Sequence, residues 1–366
     1  MSTTSSQISI RPWPERNGAD PANGAVAYRD AALAPPFLHQ DRRERATRDD
    51  RRVVIGLVNN MSDRGLYATE RQFRRLLSGV SGSPSVHLRM FTFSEIARAR
   101  DAQLHIAAHY DPIDALWTSD LDGLIVSGAE PQAAALAQEP YWPTLTKLVD
   151  WAEARTVSTV WSCLAAHAAV YHLSGIARRA LPDKLSGLFE CAGLGPHPLL
   201  EGLPSQWRVP HSRCNELAED QLVLRGYHVL TRSHLAGADT FVRHGKALHV
   251  FLQGHAEYDW GTLSREYRRD VRRFLAGERP CYPEMPQNYF AANIADDLRA
   301  FRRRALKHRH VALLTEFPTA AIVERSYAPW ADVAARFYAN WLSYIARRKQ
   351  ASPMATLASA PAALCP

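Results

Sequence analysis

Along this chain, short apolar runs of β type alternate with longer stretches whose apolar residues recur every three or four positions. Residues 52–59 (RVVIGLVN) are the first run with the length and apolar density of a buried strand, and they close on the turn-rich NNMSDRG. Strand character returns at residues 86–93, where VHLRMFTF alternates, and again at 122–127 (DGLIVS), 157–161, 227–232, 239–243 and 247–252. Between them the period lengthens. Residues 69–77 read as a helix with Thr69 as its cap and Phe73, Leu76 and Leu77 on one face; a short helix is expected around 114–117. Residues 143–155 (Leu145, Leu148, Val149 and Ala152 inward), 165–173 and 262–275 follow the same period. Residues 331–347 carry an aromatic face, Phe337, Tyr338, Trp341 and Tyr344, able to pack on the body or on a second subunit. Strands alternating with helices predict an α/β fold, a doubly wound, mostly parallel sheet flanked by helices. Such sheets place their sites at the C-terminal strand ends.

The rest of the chain is less periodic. Residues 1–50, rich in Pro, Arg, Asp, Asn and Ser, read as an extended or disordered lead-in touching the body through Phe37 and Leu38. Residues 51–347 are expected to form the working domain, and 348–366 a flexible tail. The stretch from 181 to 220 reads as loop-rich, and 291–306 as a helical insertion.

Composition narrows the class. Of 366 residues, 46% are hydrophobic and 22% charged, ordinary for a globular protein. No run nears the roughly 18 apolar residues of a membrane span. The first residues lack the apolar core of a secretory signal, so a cytoplasmic placement is expected. The net charge of +7 is spread along helices and interleaved with acids, which favours a solvated surface over a nucleic-acid face and leaves an anionic co-substrate as a reason for part of it. The five cysteines form no C-x-x-C pair and no cluster with zinc spacing, so reduced thiols and no metal are expected. Neither G-x-G-x-x-G nor a P-loop occurs, and no internal repeat is found.

Candidate chemistry centres on TVSTVWSCLAAHAAVY, residues 156–171. A strand runs into Cys163 and an Ala-rich helix follows at once, a layout that exposes one side chain and aims backbone N–H groups at whatever it attacks. A thiol at the positive end of a helix is favoured as thiolate. Downstream, another β-type run ends in Gly254 and presents His255 and Glu257. Cys163 as nucleophile, His255 as base and Glu257 as the group orienting the imidazole make a Cys–His–Glu site suited to thioester or amide carbonyls. A lone Cys is more often a small buried apolar residue, and a lone His more often structural; the matched strand-end placement is what sets these two apart. His167 is a competing base, ranked lower because it shares the local element of Cys163.

Several stretches carry a family likeness: DGLIVSGA (122–129), YWPTLTKLVDWA (141–152), STVWSCLAAHAAVYHLSGI (158–176), DKLSGLFE (183–190), PHSRCNEL (210–217), GHAEYDWGTLSREYRRD (254–270), QNYF (287–290) and NWLSY (340–344). In these the chain resembles the homoserine O-acyltransferases, succinyl- and acetyl-using, within the class I glutamine amidotransferase-like superfamily. The resemblance implies ping-pong acyl transfer from succinyl-CoA or acetyl-CoA to L-homoserine, supplying an activated hydroxyl for methionine synthesis. It implies no bound cofactor and no nucleic-acid or membrane partner, and it suggests a homodimer. It assigns the acyl-thioester to Cys163, the base to His255 and the third member to Glu257. Substrate contacts fall on Lys184, on Ser212 with Arg213, and on Glu266 and Arg269, which hold the amino acid's ammonium and carboxylate. Glu266 and Arg269 are three apart on a helix and share a face, and an Arg fork can grip a carboxylate bidentately.

The chain also departs from the family pattern. Leu164 follows the cysteine where Trp is usual, and Ala166-His167 stand where a Gln commonly occupies the second position. The early loop reads MSDRGLYATE, longer by two residues than the family's lysine-bearing form. The position that tracks acyl donor, Gly for succinyl and Glu for acetyl, falls on Gln132. The readings left open are an O-acyltransferase for serine or another hydroxylated metabolite, and a non-catalytic acyl-CoA or amino-acid sensor. Glutamine amidotransfer fits less well, because Trp161 stands where that chemistry wants a small residue.

Overall fold

The computed structural model describes residues 52–78, 83–318 and 328–351. The expectations for the 1–50 lead-in, and for the tail beyond 351, lie outside the described residues. Among these, one nine-stranded sheet organises the chain, in the order β2-β1-β3-β4-β9-β8-β7-β5-β6. Its first half is parallel: β1 (Val53–Val58) lies between β2 (Val86–Phe91) and β3 (Gly123–Val126), and β4 (Ser158–Ser162) joins β3 to β9 (Leu248–Leu252). Its second half is antiparallel, running through β8 (Gly237–His244), β7 (His228–Ser233), β5 (Arg179–Gly193) and β6 (Gln206–Glu216).

β3, β4 and β9 are buried along their whole length. That is why they stand out in sequence as unbroken apolar runs: helices cover both faces of a parallel sheet. On one face α4 (Trp142–Arg155) and α5 (Leu164–Ser174) pack against Val126, Trp161 and Phe251. On the other, α1 (Asp63–Leu77) and α9 (Ala331–Ala351) cover Ile55, Ile125, Val160 and Val250. The aromatic face of α9 therefore turns onto the body: Tyr338 and Trp341 are fully buried, and the Trp341 indole donates to Ser158 Oγ at 2.9 Å. Smaller helices, α2 (Arg100–His109), α3 (Ile113–Leu116) and α6 (Glu219–Leu224), fill the strand connections. α7 (Thr262–Leu275) and α8 (Ala292–Lys307) build a separate apolar cluster around Phe274, Leu298 and Phe301, so residues 291–306 are helical as expected.

Two readings need correction. The stretch from 181 to 220 is not loop-rich; it holds β5 and β6, the two longest strands described. Pro182 and Gly187 interrupt the alternation, and the ladder shifts register between Ala180 and Leu185, so no regular period survives. Gly187 has φ 145° and pairs with Gln287, where a Cβ would come closer than 3.0 Å to backbone atoms. The first helix begins at Asp63, not Thr69. Ser62 occupies the N-cap, and Thr69 is buried within the helix.

Candidate active site

Cys163 stands where β4 ends and α5 begins. Its backbone, at φ 51° and ψ −113°, lies in a region costly for a residue with a Cβ. Strain of this kind persists where the surroundings hold it, and here the Cys163 N–H donates to Leu252 O on the neighbouring strand at 2.8 Å. The thiol is half-buried. Leu164 N–H opens α5, where no intrahelical acceptor is available. Gly128, just past β3, lies beside it: a Cβ there would be 3.5 Å from Leu164 N and 3.7 Å from Cys163 Cβ. The helix start thus offers a donor to an oxyanion formed at the sulfur.

β9 is hydrogen-bonded to β4, with Leu252 opposite Ser162, so the turn following β9 arrives beside the sulfur. His255 sits on that turn, its N–H donating to Pro210 O at 2.7 Å. Its Nδ1 lies 2.8 Å from Glu257 Oε1, which also accepts from Ser162 Oγ at 3.3 Å. Tyr258 stacks on the imidazole with centroids 4.2 Å apart. Burial disfavours the imidazolium, but Glu257 and then Cys163 outweigh it and hold the His255 pKa well above its ordinary value. Among the described residues Nε2 has no well-aligned hydrogen-bond partner; the Cys163 sulfur acts on the ring through charge and a looser hydrogen bond. Sulfur and imidazole, remote in sequence, are brought close enough for the sulfur to bear on the charge of the ring.

A second cluster adjoins the first. Glu266 on α7 accepts from Tyr258 Oη at 2.8 Å and from Ser212 Oγ on β6, and lies 3.6 Å from Lys184 Nζ on β5. Lys184 also reaches Asp270 Oδ2 at 2.9 Å, and Arg269 holds Asp270 Oδ1 through Nε at 3.0 Å. Burial raises the Glu266 and Asp270 carboxyls, but Lys184 and Arg269 more than offset it, so both are held below their ordinary values. Burial, with Glu266 and Glu257 nearby, pushes Tyr258 well up, which keeps it a phenol and a donor. Beside Lys184 and Asp270 opens a polar cavity of about 390 Å³, lined also by Ser186, Tyr267, Arg279 and Tyr282.

A family model described as homoserine O-succinyltransferase matches residues 35–352. The chain belongs to that family. A homoserine O-succinyltransferase from Methylorubrum extorquens is 49% identical over 81% of this chain and 88% of its own length. Another, from Rhodopseudomonas palustris, is 50% identical over 80% and 88% respectively. Among solved structures, a glutamine amidotransferase from Thermotoga maritima aligns with 80% of this chain and 98% of its own, at 12% identity and a TM-score of 0.43. No helix among the described residues is long and apolar enough to cross a membrane.

Of the family residues anticipated in sequence, Cys163, His255 and Glu257 fall in one cluster, and Lys184, Ser212, Glu266 and Arg269 in the adjoining one. Arg213 is different. Its guanidinium is buried and donates to Asn215 O at 2.9 Å and Ala236 O at 2.5 Å, so it braces the strand ends. Gln132 lies exposed on the loop after β3, its backbone N–H held by the buried Glu139 carboxylate at 3.0 Å. His167 is buried against Gln253 Oε1 at 3.1 Å, and burial pushes its pKa down to about 3, which removes it as a base partner at neutral pH. Sequence reasoning passed over Tyr258 and Asp270. Both lie inside the quoted GHAEYDWGTLSREYRRD, and a polar residue adjoining each assigned position was the available signal.

Proposed function

We propose that this protein transfers an acyl group from an acyl-CoA, succinyl-CoA by preference, to the hydroxyl of L-homoserine through a thioester on Cys163. The observation that carries the reading is the Glu257–His255–Cys163 arrangement at paired strand ends, in a chain of the homoserine O-succinyltransferase family.

In the resting site the imidazole is charged and the sulfur is the nucleophile. Cys163 attacks the donor's carbonyl carbon; the C–S bond to Cys163 forms, and the oxyanion meets Leu164 N–H. Collapse breaks the C–S bond to CoA, whose sulfur takes the His255 proton and departs as a thiol. Acylation removes Cys163 from the pair of groups, Glu257 and Cys163, that hold the imidazole protonated. Neutral His255 then accepts the hydroxyl proton as the homoserine oxygen attacks the thioester, and expulsion of the Cys163 sulfur restores the starting site. Glu266 suits the acceptor's ammonium and Arg269 its carboxylate. Gln132 itself adds no negative charge to the donor-selecting loop.

The test is a matrix of succinyl-CoA and acetyl-CoA against L-homoserine and L-serine, read as free thiol release. Release is expected with succinyl-CoA and homoserine, and Cys163→Ser removes it together with the acyl adduct seen by intact mass. Failure of both donors with homoserine sinks the proposal.

A further inference from the structure

Directly beneath the turn that carries His255 lies a pair of buried groups with no part in the steps above. His211 on β6 and Asp239 on β8 are 0% and 4% exposed, with His211 Nε2 and Asp239 Oδ1 3.3 Å apart. Neither atom has a well-aligned hydrogen-bond partner among the described residues. The other carboxylate oxygen, Oδ2, accepts from Thr231 Oγ1 at 2.8 Å and Thr240 Oγ1 at 3.0 Å. A buried anion is costly unless paired, so the imidazole N–H is what Oδ1 requires.

The tautomer follows from the third partner. Arg213 Nε faces His211 Nδ1 at 3.5 Å, and a guanidinium can only donate, so Nδ1 accepts and the proton sits on Nε2, toward Asp239. This accounting also weighs against a metal. Cys191 Sγ joins His211 and Asp239 to make a group with ligand atoms within 4.8 Å of one another. A cation on Nε2 would move the proton to Nδ1, where it would confront the Arg213 N–H.

The pair touches the catalytic turn from below at several points. Gln253 N–H donates to Asp239 O at 2.9 Å, and His255 N–H to Pro210 O, the residue before His211, at 2.7 Å. Gly254, between them, has room for no side chain: a Cβ would lie 2.5 Å from Asp239 Oδ1 and 3.0 Å from His211 Nε2. We propose that the Arg213–His211–Asp239 chain is a positioning device, a charge-balanced floor on which Gly254 rests so that the His255 imidazole meets the Cys163 sulfur. This inference rests on the acyl-thioester reading, in which His255 serves Cys163.

The readout is the rate at which iodoacetamide alkylates Cys163 at neutral pH, followed peptide by peptide by mass spectrometry, because Cys214 and Cys281 are exposed. It needs neither CoA nor homoserine, so it fails or succeeds independently of the acyl-transfer assay. The groups bearing on His255 in this state are Glu257, Cys163, Tyr258, Glu266 and His211. Misplacement by about an ångström can cost up to a hundredfold in rate. His211→Phe is expected to slow Cys163 alkylation at least about tenfold, approaching His255→Ala. His211→Gln, which returns an N–H near the Nε2 position, is expected to restore most of the rate. If His211→Phe does not fold, Asp239→Asn and Gly254→Ala replace it, each expected to lower the melting midpoint, to unfold still in one cooperative transition, and to slow alkylation below that midpoint. The proposal is overturned by wild-type alkylation in the folded variants, by equal impairment in the Phe and Gln variants, or by a stoichiometric metal ion in the purified protein that His211→Phe removes.

Discussion

Glu257 governs the charge of the imidazole it holds. Its carboxylate, 2.8 Å from Nδ1, is the largest influence opposing the burial of His255. Replacing it by Gln keeps the shape and removes the charge. The His255 pKa should then fall, seen as a downfield-to-upfield shift of its imidazole resonances at neutral pH, and kcat should drop by about 100-fold or more. An unchanged kcat would show that the carboxylate only fills space. Cys163 and His255–Glu257 were legible in sequence because each follows an apolar strand run directly, and strand ends are where α/β sheets expose side chains. His211 stood out only as part of PHSRCNEL and Asp239 only as a strand boundary, since nothing local marks two strands as neighbours.

At the scale of elements, β5 and β6 decide where the charged cluster around Glu266 forms. They carry Lys184 and Ser212 to α7, and they were misread because Pro182, Gly187 and the shift of register break their alternation. Gly187 is the point at which β5 is held to residue 287, through a Leu188 N–H to Gln287 O bond of 2.9 Å. Gly187→Ala places a Cβ against backbone at a positive φ, where neither partner can yield cheaply. A loss of about 1–3 kcal/mol is expected from strain of this type, read as a lower urea midpoint at unchanged slope. Homoserine KM should rise with it, because Lys184 lies on the same strand; a midpoint equal to wild type would count against the pairing.

For the molecule as a whole, the charges buried at and beneath the site set its response to pH. Asp239, Glu266 and Asp270 all have folded pKa values below their ordinary ones: burial opposes this, and His211 for the first and Lys184 for the others outweigh it. Their stabilisation is present above the unfolded carboxyl range, about pH 4, and is lost as pH falls through the folded values. His255, raised, works in the other sense: its contribution is complete below about pH 6.5 and fades as pH rises through the folded value. Urea midpoints are therefore expected to be highest between these limits. Asp270→Asn should flatten the acid side alone, and a profile level from acid to neutral pH would contradict the cluster's charge state.

What the sequence by itself determined is the parallel half of the sheet, its covering helices and the two strand ends that bear Cys163 and His255. Strands buried on both faces must be apolar throughout, and that leaves a mark any reader of the chain can see. The antiparallel half, the approach of Lys184, Ser212, Tyr258 and Asp270 to Glu266 and Arg269, and the floor beneath Gly254 were decided only by tertiary structure. In those places a charged or polar side chain is satisfied by a partner on another strand, and charge compensation across space leaves no period along the chain.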